Sequence, residues 1–111
     1  MDRLDEYRDS IERILKQIAV IPYSVPNIKD RAVLDRNSDN YLVVREGWEG
    51  IRHIVNIVVH LEIRDGKIWI LEDWLEHGIA ADLEEAGIPK SDIVLGFYPA
   101  DVRPHTEYAV A

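Results

Sequence analysis

The sequence predicts an α+β fold: a twisted antiparallel β-meander of about four main strands, with an N-terminal helix and a second helix packed on it. Three observations carry this reading. Leu4, Tyr7, Ile11, Ile14, Ile18 and Ile21 recur at alternating spacings of three and four, the period of one helix face. The stretch Ile51 to Asp73 is rich in β-branched residues and is broken by Asp65-Gly66, a pair that readily takes the positive φ angles of a two-residue hairpin turn. Short turn clusters separate the remaining apolar runs, as in strands joined by tight loops. A chain of 111 residues suits one domain, 1–111, built on one core.

Taken in order, Asp2 to Ile21 reads as an amphipathic helix, with Leu15 widening the apolar stripe and Pro22 ending it. Pro22 to Asp30 is a connector pinned by Tyr23, Val25 and Ile28. Arg31 to Arg36 is a short strand, and Asn37-Ser38-Asp39-Asn40 a turn. Tyr41 to Arg45 is the next strand, and Gly47-Trp48-Glu49-Gly50 another turn. Counting outward from Asp65-Gly66, Arg64 faces Lys67, Ile63 faces Ile68, Glu62 faces Trp69, Leu61 faces Ile70, and His60 faces Leu71. Strict alternation then buries Ile51, Val55, Ile57, Val59, Leu61 and Ile63 together with Ile68 and Ile70, and puts His53 on that same face. The opposite face mixes Arg52, Asn56, His60 and Glu62 with Val58, Trp69 and Leu71. A face of that kind calls for a partial cover: a loop, the chain end or a second subunit. His77 to Ala86 is the second helix, with Gly87 and Pro89 beyond it. Ile93 to Phe97 is a short buried strand that joins the sheet, and the tail ending in Tyr108-Ala109-Val110-Ala111 is apolar enough to dock.

Composition narrows the function. There is no cysteine, which excludes disulfides, thiolate catalysis and cysteine metal sites, and fits a cytoplasmic location. The first ten residues are too charged for a signal peptide, and no apolar run is long enough to span a membrane. Acidic residues outnumber basic ones 21 to 13, for a net charge of −8. Phosphate contacts dominate nucleic-acid affinity, so direct binding to DNA or RNA is disfavoured and a basic protein partner is favoured.

Several blocks together resemble the XisI family, the fdxN-element excision controlling factors. They are Gly47-Trp48, Val59-His60-Leu61, Asp65-Gly66-Lys67-Ile68-Trp69-Ile70, Gly78-Ile79-Ala80, Ala86-Gly87-Ile88-Pro89-Lys90, Asp92 to Phe97, and the closing Thr106-Glu107-Tyr108-Ala109-Val110-Ala111. The resemblance implies a small α+β protein of the kind found largely in cyanobacteria. It implies a non-enzymatic accessory that acts with an XisH-like, endonuclease-type partner to control excision of a DNA element by site-specific recombination. It carries over no catalytic residue and no cofactor. One departure stands out. After the Lys-Ile-Trp-Ile strand the family usually has Asp, a small residue, Thr and Glu, whereas this chain has Asp73-Trp74-Leu75-Glu76.

The residues best suited to an interaction surface are Trp48, His60, Trp69, Leu71 and Trp74, because tryptophan is enriched at binding hot spots. Homodimerisation through the half-apolar sheet face goes with them. The competing reading is a metal-dependent nuclease subunit with a site near His60 and Asp73, where Glu62, Glu72 and Glu76 also lie. Against it, alternation puts Glu72 on the face opposite His60, and Asp65-Gly66-Lys67, half of a nuclease motif, is fully explained as a turn.

Overall fold

Helix α1 covers Arg3–Ala19 in the structure, a computed structural model that describes residues 2–111. Asp2 caps it: its carboxylate accepts the Asp5 N–H at 2.9 Å. Asp5 and Glu6 stand at the positive end of the helix dipole and Lys16 at the negative end. Tyr7, Ile11, Ile14 and Leu15 are buried along one stripe, with Leu4 and Ile18 at its margins. Ile21, expected to complete that stripe, lies past the helix end and is exposed, because Pro22 stops the helix early.

Five strands form one sheet in the order β1-β2-β3-β4-β5: β1 Ile28–Asp35, β2 Asn40–Glu49, β3 Arg52–Arg64, β4 Lys67–Asp73 and β5 Ile93–Leu95. The first four are antiparallel neighbours, as the meander requires. The fifth runs parallel to β4, which helix α2, Ile79–Glu85, permits by carrying the chain back across the sheet. The β3–β4 turn has the expected left-handed pair, Asp65 at φ 49° and Gly66 at φ 78°. Four of the five counted pairs form. The fifth does not: a bulge skips Leu71, so His60 faces Glu72 and Asp73 faces Val59. Glu72 therefore shares a face with His60, contrary to simple alternation.

The expected turn at Gly47-Trp48 is strand instead. β2 runs on to Glu49, β1 starts at Ile28, and the reversal falls at Gly50-Ile51. Gly47 is needed there for closeness of approach. A Cβ at that position would sit 1.9 Å from the Asn27 carbonyl oxygen.

A second bulge has the larger consequence. Val43 faces Val59 and Val44 faces Ile57, so Val58 is an extra residue in β3. Val58 and Val59 are both buried, and every residue before them exchanges faces. Ile51, Val55 and Ile57 were expected in the core. Ile51 is instead wholly exposed in the turn, and Val55 and Ile57 are exposed on the outer face. His53 moves outward with them.

The core lies between the inner face and the two helices. Tyr41, Val43, Val59, Leu61, Ile68 and Ile70 are fully buried there against Ile11, Leu15, Ile79 and Leu83. Ion pairs clamp α1 to the β1–β2 turn. Arg8 donates to both carboxylate oxygens of Asp39 at 2.8 and 3.1 Å, and Arg36 reaches Asp9 and Glu12. Tyr7 donates to Asp92, and burial together with that bond pushes its phenol up to about 12. Among the described residues no helix is long and apolar enough to cross a membrane.

The Arg8 guanidinium holds the Asp39 carboxyl below its usual range. A depressed carboxylate stabilises the fold above its unfolded pKa and loses that contribution as pH falls through the folded value. Thermal melts between about pH 6 and pH 2 should therefore show acid destabilisation that Asp39→Asn reduces, at the cost of a lower melting temperature near neutrality. Asparagine suits this exchange because it tolerates the φ of 56° found at Asp39.

Candidate interaction surface

On the outer face a residue of one strand sits beside its paired residue on the next. From the register this face carries Val33 of β1, Leu42, Val44, Glu46 and Trp48 of β2, His53, Val55, Ile57, His60 and Glu62 of β3, and Trp69 of β4. Neither helix covers it. The chain divides it into two unlike halves.

Over β4 and β5 the C-terminal tail closes the face. Val94, beside Trp69, is fully buried, because Ala109 bridges to it and donates its N–H to the Ile93 carbonyl at 2.9 Å. Gly96 packs so tightly that a Cβ would stand 3.0 Å from both Trp69 and Leu71. The guanidinium groups of Arg64 and Arg103 lie 4.8 and 4.9 Å from the Trp69 ring centroid. Two of the expected surface residues, Trp69 and Leu71, are thus half-buried beneath the molecule's own tail.

Over β1 to β3 the face is open. Trp48 is 50% exposed and stacks on His53 with centroids 4.5 Å apart. His53 meets Glu46 at 2.9 Å, and Arg31 meets Glu46 at 3.1 Å, so both hold that carboxyl below its usual range. Val33, Val55 and Ile57 are exposed beside this polar cluster. An apolar surface with a few fixed charges at its margin has the composition of a protein-binding surface. Sequence reasoning found Trp48 but placed Val55 and Ile57 inside. The signal it lacked was the bulge, since the run Ile54-Val55-Asn56-Ile57-Val58-Val59 allows either phase of alternation.

His60 is on the outer face, half-buried, with Nε2 2.7 Å from the Asn40 side-chain oxygen. Asp73 pairs with Val59, one step along, and so points to the inner face. There its two oxygens accept N–H groups from Leu75 at 3.2 Å and Ile79 at 2.9 Å. The two residues suggested for a metal site therefore point to opposite sides of the sheet, and Asp73 is occupied in holding the start of α2. Among the described residues no three His, Asp or Glu side chains are arranged to hold a metal ion.

Trp74 stands apart from both halves. It is 75% exposed just past the end of β4, its backbone N–H on the Val58 carbonyl at 2.9 Å and its indole N–H on Glu72 at 2.7 Å. The departure at Trp74-Leu75 divides its roles. Leu75 packs against the core, Asp73 holds the helix start, and Trp74 is left outside.

A family model described as XisI protein matches residues 1–110. The fold is similar to a crystal structure of the fdxN element excision controlling factor XisI from Anabaena variabilis. That match has a TM-score of 0.86 and 39% identity, over 99% of this chain and 100% of that one. It is also similar to a crystal structure of a XisI-like protein from the same organism, with a TM-score of 0.92 and 31% identity, over 98% and 100% of the two chains. No curated protein matches the chain.

The two halves of the outer face should answer mutation differently. Trp69→Ala removes a packed ring and should cost about 2 kcal/mol or more in chemical denaturation. Trp48→Ala and Trp74→Ala remove exposed rings and should each stay within about 1 kcal/mol of the parent.

Proposed function

From the premise that this chain belongs to the XisI family, we propose that it is a non-enzymatic controlling protein in the excision of a DNA element, acting by contact with an XisH-like, endonuclease-type partner. The observation that carries the reading is the open half of the outer face: Val33, Trp48, Val55 and Ile57, exposed on strands of the sheet. Rigid strands lose little conformational freedom on binding, and a tryptophan beside aliphatic residues can supply the buried anchor that interfaces depend on. The net charge of −8 supports a basic partner over bare DNA, because complementary charge speeds encounter and like charge opposes it. A homodimer and a cytoplasmic site of action belong to the same proposal. In this reading His60 and Trp69 shape the face from within, and Trp74 extends it past the sheet edge.

Co-expression with an XisH-like protein and capture by a tag on either partner tests the reading. Intact protein should bring down its partner, while Val33→Glu and Trp48→Glu, each folded by circular dichroism, should reduce capture at least tenfold. Undiminished capture by both variants would remove the face from the mechanism. DNA cleavage by the purified chain with Mg²⁺, abolished by His60→Ala, would replace the accessory role with an enzymatic one.

A further inference from the structure

Among the described residues the sheet leaves edge unpaired along β1, along β5 and along part of β3, and the first two are guarded. β1 carries the exposed charges Lys29, Arg31 and Asp35, which discourage another strand from adding. The outer side of β5 is met by the tail at Ala109. The third edge lies in the middle of the sheet. β3 is thirteen residues long, but β4 pairs with it only from Val59 to Arg64, and Trp74 takes the Val58 carbonyl. On that side Arg52 to Ile57 has no strand partner among the described residues, and all but Ile54 are exposed. The free length is about 20 Å. It holds neither proline nor carboxylate, and its bulk is Ile54, Val55 and Ile57.

We propose that Arg52–Ile57 of β3 is a strand-addition surface whose occupant is the same strand of a second copy, paired antiparallel about a two-fold axis. The inference rests on the homodimer reading and moves its surface from the sheet face to this edge. The case for a second copy is self-complementarity. A two-fold axis normal to the sheet keeps inner faces together, so each residue must oppose one of its own parity, and because Trp74 fills the place beside Val58 the axis passes through Ile54. Arg52 then lies opposite Asn56 of the other copy, and His53 opposite Val55, so no like charges meet. The ends match as well. A cleft of about 350 Å³, lined by Arg45, Asn56, Ile57, Val58 and Trp74, opens where β4 stops. Antiparallel pairing carries the β2–β3 turn of the other copy into it. The wholly exposed Ile51 of one copy thereby meets the largely exposed Trp74 of the other. Edge pairing alone falls short of the roughly 800 Å² per partner of a stable interface, and these two end contacts enlarge it. The dimer would have one continuous sheet, leaving Val33 and Trp48 of both copies on a shared outer face.

The native chain has no cysteine, so single-cysteine variants can report the geometry. Directly opposed strand residues stand about 4.5–5.5 Å apart at Cα, within disulfide reach. Under mild oxidation Ile54→Cys should cross-link several-fold more completely than Val33→Cys or Trp48→Cys. In the unmodified protein, the backbone amides of Arg52–Ile57 that point away from β2 should exchange slowly as dimer and quickly after dilution to monomer, while those bonded to β2 stay protected in both. Cross-linking at Val33→Cys or Trp48→Cys in preference to Ile54→Cys, in a protein that light scattering shows to be a dimer, would overturn the edge and leave the homodimer standing. A monomeric mass at high micromolar concentration would overturn both. Fast exchange in the dimer at those edge-facing amides would overturn the edge whatever the cysteine variants do.

Discussion

Between β2 and β3 the ladder of hydrogen bonds skips one residue: Val43 lies opposite Val59, Val44 opposite Ile57, and Val58 opposite nothing. A strand shows alternate residues to opposite faces, so one supernumerary residue reverses everything on one side of it. In this sheet it keeps Val59, Leu61 and Ile63 beneath the helices and turns Val55 and Ile57 to the outer face. The same valine marks the place where β4 stops pairing and Trp74 takes over the next carbonyl. The exposed aliphatic surface and the unpaired edge both begin there. Both also depend on the buried half of β3 being fixed firmly enough to hold the ribbon beyond it.

That firmness has identifiable sources. The inner face is closed by α1 and α2. It is tied at one corner by Arg8 on Asp39 and at another by Tyr7 on Asp92. Beyond the reach of α1, the ribbon is held from within by Arg45, which donates to Asp30 at 2.8 and 3.1 Å and lies 4.0 Å from the Tyr23 ring centroid. The Asp30 side chain is almost fully buried in that pair. This anchors the proline-containing connector to the sheet, so the open half of the outer face sits on backbone pinned from the opposite side.

Most of the architecture could be read from the residues. The helix period before Pro22, the Asp65-Gly66 turn with its first four pairs, and the second helix ahead of Gly87 are local signals with local causes, and each appears where the pattern put it. What could not be read is equally specific. Bulges leave no mark in an aliphatic run, so both faces of the first half of β3 were exchanged and Glu72 was put on the wrong side. Gly47 read as a turn residue because glycine serves turns and close approaches alike, and the distance to the Asn27 carbonyl that decides between them is tertiary. The parallel pairing of β5 depends on where α2 delivers the chain. Of the proposed surface residues, Trp48 and Trp74 are exposed. Trp69 and Leu71 lie under a tail whose docking was expected but whose landing place was not. His60 is held by Asn40 within the sheet.

The open face originates in the slip of the ladder at Val58, and cross-strand nuclear Overhauser contacts test that slip without reference to any partner. Contacts are expected from Val43 to Val59 and from Val44 to Ile57, with both Val58 and Val59 near the side chains of the core. A continuous ladder that pairs Val44 with Val58 and turns Val55 and Ile57 to the inner face would contradict the slip, and would leave the exposed aliphatic face without a cause.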